Sequence, residues 1–311
     1  MMDGPILVTG AGGFVCSEIA LALSRAGHKV TAVDQLFDVA TSKRLKNVRR
    51  IQGSLSEVLV DRDLGSFSAV IHGAAITASP EQLDISNAAH IRSNIDMLTS
   101  TLNFAHREGA SRFLFLSSMG IFQPNDLPAS HGCFTEITRP SATCAYCAAK
   151  KAGELLTTAA ADHTFTTSSL RLGNVFGPHE ALRQTRQHLC LVSRMISEAK
   201  NNGVIKVQSP QAQRDWSWLP DLADGIVQLI QNLLPTAPSV LHAGTPPVIE
   251  DLTLARAIAQ RVNGAKIRLE PSQWEANRPP MASSISSVFD GIEWTSIEAA
   301  LDSLIPAQVM S

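Results

Sequence analysis

Tyrosine is almost missing from this chain: Tyr146 is the only one in 311 residues, and aromatic residues make up 5% of the whole. An excess of one charge sign is missing too. With 26 Lys and Arg against 28 Asp and Glu, the formal net charge is −2. The signs are interspersed, so the chain has no electrostatic footprint for nucleic acid or for an anionic membrane. No apolar run approaches the ~18 residues of a membrane-spanning helix. Five cysteines, an odd number with no framework spacing, suit a reducing compartment, and a cytoplasmic protein is expected. The nine histidines show no metal-ligand spacing, and no metal site is expected. Met1-Met2-Asp3-Gly4-Pro5 runs straight into Ile6-Leu7-Val8 without a basic n-region, so no signal peptide is expected. Repeats and low-complexity tracts are absent. What remains is 44% apolar and 17% charged, ample for a buried core in about two domains.

The clearest local signal is at the start. Ile6-Leu7-Val8-Thr9 is a β-prone run, Gly10-Ala11-Gly12-Gly13-Phe14-Val15-Cys16 is a glycine-rich turn, and a helical pattern follows. A strand, a turn free of Cβ atoms and a helix N-terminus form the setting in which backbone amides cradle a pyrophosphate. Cys16 stands where a third glycine would give the closest helix–strand packing, so slightly looser packing is expected. A second strand, Lys29 to Asp34, ends in a carboxylate about 20 residues after the glycines, placed to accept both hydroxyls of an adenosine ribose. That acid repels a 2′-phosphate and favours NAD over NADP, although Lys43 and Arg44 lie further on.

Ala145 to Leu156 is rich in strong helix formers. Tyr146 and Lys150, four apart, therefore share one face. A phenol ordinarily titrates near ~10, and a neighbouring ammonium is expected to lower it into the range of a general acid/base. By itself Tyr-x-x-x-Lys is a common coincidence, and the glycine turn is what gives it weight.

The rest of the chain alternates. Val48–Ile51 reads as a third strand and Ala69–Ala75 as a fourth, ending in the small Ala74 and Ala75 across which a cofactor could lie. Residues 81 to 108 read as one long helical region containing Asn94, and Arg112 to Ser118 as a fifth strand with hydroxyls at its carboxyl end. Residues 123 to 142 read as a loop over the site, Thr164–Leu170 as a sixth strand, and Val240–Gly244 as a late one. Further helices are expected at 187 to 202, from Arg214-Asp215-Trp216 onward, at Leu252–Asn263 and at Ser296–Leu304; Trp216 and Trp218 are expected to pack in a core. The alternation predicts an α/β fold, a Rossmann-type doubly wound parallel sheet with a smaller α/β C-terminal substrate-binding region. Residues 1–172 are assigned to the first domain, with 208–245 returning to it, and 173–207 with 246–311 to the second.

Taken together, Thr9-Gly10-x-x-Gly13, Asp34, His72-Gly73-Ala74-Ala75, Asn94, Ser117-Ser118, Tyr146-x-x-x-Lys150, Leu170-Arg171-x-x-Asn174-Val175-Phe176-Gly177-Pro178 and Arg214-Asp215 resemble the extended short-chain dehydrogenase/reductase superfamily, in its NAD-dependent epimerase/dehydratase branch. The resemblance implies a cofactor held by Gly10, Gly13, Phe14, Val15, Asp34, Ala74, Ala75, Asn94, Ser117, Tyr146 and Lys150. It implies Tyr146 as acid/base, Lys150 as its activator, and Ser118 as the residue holding the reacting hydroxyl. Asn174, Arg214 and Arg278 match the positions that grip a nucleotide-sugar, where arginine forks suit phosphate oxygens. It also implies a homodimer through the helices near 90 to 107 and 146 to 162. Departures are Met97-Leu98 in place of Gly-Thr after Asn94, Ser54 in place of Asp after Gly53, and Met119-Gly120 where dehydratases carry an acidic pair. The last sets dehydratase aside.

Three readings follow, in order: a UDP- or other nucleotide-sugar epimerase working by transient hydride transfer, an NAD-dependent dehydrogenase or reductase of a free sugar, sugar acid or small alcohol, and an idle NAD-binding regulatory protein. Cys144 and Cys147 flank Tyr146 as a Cys-x-x-Cys. Both are expected to be small helix residues, because a disulfide would strain the helix.

Overall fold

The computed structural model describes residues 4–128, 132–270 and 278–306. The expected loop over 123 to 142 is thus described except at 129–131, and the opening residues 1–3 lie outside the described part. Twelve strands occur in it: β1 (Ile6–Thr9), β2 (Val30–Asp34), β3 (Arg49–Gln52), β4 (Ala69–His72), β5 (Arg112–Ser118), β6 (Thr166–Leu172), β7 (Asn174–Phe176), β8 (Val204–Val207), β9 (Gln213–Trp218), β10 (Val240–His242), β11 (Val248–Glu250) and β12 (Lys266–Leu269).

Seven of them form one parallel sheet in the order β10-β6-β5-β4-β1-β2-β3. The central strands are buried on both faces, which is why they read as continuous apolar runs. Alternate residues feed different layers. Ile6, Val8, Ile71, Leu114 and Leu116 pack under the helices Phe14–Arg25 and Leu219–Gln231. Leu7, Val70, Phe113 and Phe115 pack against Leu98, Leu102 and Phe104 of the helix Asn87–Arg107. The order reverses between β1 and β4, and ligands of open α/β sheets bind beyond the carboxyl ends of the strands at such a switch point.

A second core gathers Phe176, Trp216, Trp218, Leu254 and Leu301 around the sheet β11-β9-β7, the parallel pair β12-β8 and the helices Leu191–Asn202, Asp251–Ala259 and Ile297–Leu304. Trp216 and Trp218 are 1% and 8% exposed, set at right angles and at a tilt to Phe176. Within 208–245, β9 joins this smaller sheet, whereas Leu219–Gln231 and β10 join the large one. The segment around Phe289 returns from the C-terminal part and packs in the large sheet's core, against Gly225 and Gly244.

Two helix expectations change in detail. The long region after residue 80 is two helices, Pro80–Leu83 and Asn87–Arg107, because Asp84 turns left-handed (φ 53°) and Ser86 caps a new start. The stretch from Arg214 begins as strand, held by Trp216 N–H donating to the Pro247 carbonyl (2.8 Å); the helix starts at Leu219, with Pro220 in its first turn.

Glu136 ties the C-terminal segment to the sheet. Its carboxylate accepts from the His242 amide (2.9 Å) and from the Ser283 and Ser284 hydroxyls (both 2.8 Å). Burial alone would raise this carboxyl, but His242 and the hydrogen bonds from Ser284 hold it down to about 2, against an ordinary 4.5. A depressed carboxyl stabilises the fold above its ordinary value and loses that contribution as pH falls through the folded one. The stability gap between wild type and Glu136→Gln is therefore expected to be full at neutral pH and to vanish from about pH 4.5 down to about 2, as read by urea titrations across that range.

Candidate active site

Gly10 takes φ 74°, and a Cβ there would stand 2.7 Å from the Ala74 backbone nitrogen. Only glycine lets β1 and β4 approach this closely. Gly12 is fixed by Asp34, whose carboxylate accepts the Gly12 amide at 2.9 Å and the Leu36 amide at 3.1 Å. The acid at the end of β2 thus shapes the glycine turn as well as facing the cavity. Gly13 begins the helix Phe14–Arg25 without a side-chain cap, leaving first-turn amides for a ligand.

The third-glycine departure is compensated. A Cβ at Gly73 would lie 2.2 Å from Cys16 Sγ, so the thiol fills space that a bare glycine at 73 leaves open. The expected looser packing is not found, and Cys16 is 4% exposed with its thiol pushed up by burial to about 12. Gly73→Ala is expected to destabilise by roughly 1–3 kcal/mol through overpacking. Cys16→Gly in the same chain should restore most of it, measured as a coupling in a thermal double-mutant cycle.

Tyr146 and Lys150 lie on the helix Ala145–Ala159, and Ser118 ends β5 opposite them. Ser118 Oγ accepts the Gly120 amide (3.0 Å) and its hydroxyl hydrogen-bonds the phenol. Lys150 Nζ donates to the Leu116 carbonyl (2.6 Å), 4.6 Å from the centre of the Phe115 ring and 5.8 Å from that of Tyr146. The expectation that Lys150 pulls the phenol down is corrected. Burial raises the Tyr146 phenol, opposed by Ser118 and by the charge of Arg186, while burial pushes Lys150 itself down to about 8. In this state the pair is poised only partly, because the ammonium is desolvated and already spent on a carbonyl.

A cavity of about 1010 Å³ runs along the carboxyl ends of the strands, at the upper end for small-molecule sites. Gly10, Gly13, Phe14, Val15, Asp34, Ala74, Ala75, Ser117, Ser118, Tyr146, Lys150, Asn174 and Arg214 all line it. Asn94 and Arg278 do not. Asn94 accepts the Ile76 amide (2.9 Å) and donates to the Ile76 and His90 carbonyls, so it shapes the loop after β4 instead of touching the cavity. Arg278, half-buried, donates to the Phe122 carbonyl (3.3 Å) near Arg214 and Asp215. The Ser117 hydroxyl is turned to Glu154 (2.8 Å). Arg214 makes a two-pronged bond to Asp251 (2.8 and 3.0 Å), a partner distinct from the neighbouring Asp215 and Asp221. Asn174 bonds Asp215, which burial raises to about 6.

The sequence reading missed a strap across the mouth. Arg183 donates to the Leu36 carbonyl (3.1 Å) and to Asp38 (2.8 Å), while the Thr185 carbonyl accepts the amides of Thr77 and Ala78 (3.0 and 2.8 Å). Arg186 pairs with Glu180 and lies 5.7 Å from the Phe14 ring. The available signal was Arg183-Gln184-Thr185-Arg186, two cations three residues apart in a loop. A second miss is at the helix start, where Cys144 and Cys147 are disulfide-bonded, a correction to their reading as inert helix residues. Their Cα atoms are 5.0 Å apart, within the ordinary range for such a bond, and the helix continues regularly from that turn. Among the described residues, no group of three or more His, Cys, Asp or Glu is placed to hold a metal ion, and no helix is long and apolar enough to cross a membrane.

Sheet order, glycine cradle and terminal acid define a Rossmann-type dinucleotide-binding fold with a Tyr-Lys-Ser cluster at its switch point. The sequence model of the NAD dependent epimerase/dehydratase family matches residues 6–240, and the chain belongs to that family. It is 26% identical over 274 residues to UDP-glucuronic acid decarboxylase 1 of Xenopus tropicalis, covering 83% of this chain and 60% of the relative. It is 27% identical over 185 residues to UDP-glucose 4-epimerase of Corynebacterium glutamicum, covering 58% of this chain and 54% of the relative. The chain thus spans little more than half the length of these two relatives. The structure of the epimerase Mth375 from Methanothermobacter thermautotrophicus superposes with a TM-score of 0.81 at 22% identity, over 97% of this chain and 91% of that one.

Proposed function

We propose that the protein is an NAD-dependent nucleotide-sugar epimerase, most simply of a UDP-sugar. The observation that carries this is the single cavity in which the glycine cradle and Asp34 meet Ser118, Tyr146 and Lys150, continuing to Asn174 and Arg214. The uncapped start of the helix Phe14–Arg25, with Gly13, Phe14 and Val15 lining the cavity, fits a dinucleotide's pyrophosphate. NAD, when bound, accepts and returns the hydride. Ser118 orients a sugar hydroxyl toward the phenol of Tyr146, which takes the proton on oxidation and gives it back on reduction. Lys150, lining the same cavity, is placed for a ribose hydroxyl. Arg214, fixed by Asp251, presents its remaining donor to a phosphate oxygen. The strap, fastened to both walls of the cleft, favours a cofactor retained through turnover over one released as NADH, and so favours an epimerase over a dehydrogenase. Cytoplasmic location and a homodimer are part of this proposal, supported for the dimer by Leu155, 63% exposed on the Tyr146 helix.

The test is absorbance and mass spectrometry of the purified, denatured protein, then thermal shift with UDP-sugars and product analysis. Co-purified NAD, stabilisation by a UDP-sugar and an inverted sugar centre are the expected results. An empty protein that ignores nucleotide-sugars but forms NADH from a free sugar or sugar acid would establish the dehydrogenase, and CO₂ released from a UDP-uronate would replace epimerisation by decarboxylation.

A further inference from the structure

The acid/base tyrosine is bracketed by sulfur. Cys144 is the N-cap of the helix Ala145–Ala159, and its Sγ accepts the Cys147 amide at 3.0 Å. Cys144 is exposed to solvent while Cys147 is 4% exposed, so one sulfur of the bonded pair can be attacked from outside and the other cannot. The remaining cysteines differ. Burial pushes the thiols of Cys16 and Cys190 up to about 12 and raises that of Cys133. A helix N-terminus, by contrast, favours a thiolate.

The pair also touches the rest of the site. Gln123 Nε2 lies 3.6 Å from Cys147 Sγ and 3.5 Å from the Gly120 carbonyl, and the Gly120 amide holds Ser118 Oγ. One short chain of contacts therefore runs from the sulfurs through Gln123 and Gly120 to the hydroxyl that bonds the phenol. The other charged groups at Tyr146 are the Arg186 and Lys150 cations.

We propose that Cys144 and Cys147 form a reversible thiol–disulfide centre, exchanging with disulfides of the glutathione class, that switches the tyrosine between them. On oxidation the Cys144 thiolate attacks one sulfur of glutathione disulfide, forming a mixed disulfide and releasing one glutathione thiolate. The Cys147 thiolate then attacks Cys144 Sγ, closing the Cys144–Cys147 bond and releasing the second. Two protein thiols give up two protons and two electrons, and one glutathione disulfide becomes two glutathiones. Such exchange is the usual use of a disulfide under reducing conditions. The oxidised form is the competent one, because the bond holds the first helical turn and no thiolate stands beside the phenol. Reduction frees that turn and places negative charge within two residues of Tyr146, which opposes phenolate formation. The control of turnover rests on the reading of Tyr146 as acid/base; the thiol chemistry does not.

The full-length protein is equilibrated in glutathione buffers of graded ratio, its thiols are counted by maleimide mass-tagging, and the phenolate is titrated by near-ultraviolet absorbance. Tyr146 is the chain's only tyrosine, so that band belongs to one residue. Interconversion of two thiols is expected, with the phenol titrating roughly one pH unit higher in the reduced form. Cys144→Ser, which keeps an N-cap oxygen, should abolish the dependence. The proposal is overturned if the pair stays in one state at every ratio, or if it interconverts while the phenol titration does not move. A moving titration in a protein that turns over no nucleotide-sugar upholds the centre and sinks the epimerase instead.

Discussion

Tyr146→Phe is expected to lower kcat by roughly 10²–10⁴-fold, the ordinary reach of general acid/base catalysis, with KM changed little. The phenol's hydrogen bond goes to Ser118, which keeps the Gly120 amide as a partner when the hydroxyl is gone. The stability cost should therefore stay near ~1 kcal/mol, the net worth of one hydrogen bond. Steady-state kinetics with the nucleotide-sugar that stabilises the protein, beside a thermal melt, separate the two effects. Since burial raises the phenol and Lys150 is drawn to the Leu116 carbonyl, the wild-type enzyme should gain activity toward alkaline pH, and the variant should show no such limb. An unchanged kcat would instead remove Tyr146 from the role of acid/base.

Glu154→Ala should be the most damaging substitution for the fold, at about 3–5 kcal/mol, because it strands a buried guanidinium. Glu154 and Arg171 are 1% and 2% exposed, joined at 2.7 and 2.9 Å. The same carboxylate accepts the Ser117 hydroxyl (2.8 Å) and Lys151 (3.1 Å). Although burial would raise it, Arg171 holds this carboxyl below the usual range. The cluster therefore fastens the Tyr146 helix to β5 and β6 at once, and its loss loosens the site along with the core. Urea denaturation of Glu154→Ala should show the loss, and adding Arg171→Met should return part of it by removing the stranded charge. A single variant within ~0.5 kcal/mol of wild type would mean that water or a shifted side chain replaces the carboxylate.

What could be read from the residues follows the range of the forces involved. The central strands β1 and β4 were legible because burial on both faces writes them as apolar runs. The strands β7, β8, β11 and β12 are three or four residues long, and two of them are mostly exposed, so no periodicity announces them. At the site, Gly10, Asp34, Tyr146 and Lys150 sit in local patterns whose spacing alone brings them together. Asn94, Ser117 and Arg278 belong to equally recognisable patterns, yet their polar atoms are taken by Ile76, Glu154 and Phe122, partners that only tertiary packing supplies. The lowered Tyr146 phenol was misjudged for a related reason: spacing gives proximity to an ammonium, while burial, which spacing does not give, acts on both groups. Asp251 as the anchor of Arg214 lay beyond sequence reasoning altogether.

Phe289 carries one further consequence. It fills the core of the first sheet between Gly225 and Gly244, although it lies in the last stretch of the chain. During synthesis the ribosome delivers β1 to β6 and the Tyr146 helix long before that plug emerges. The nascent sheet must wait with an unfilled hollow under the helix Leu219–Gln231, a partly closed intermediate that offers apolar surface to chaperones and to neighbouring chains. The place of Phe289 in the sequence, rather than the size of either core, thus sets when the core of the large sheet can close.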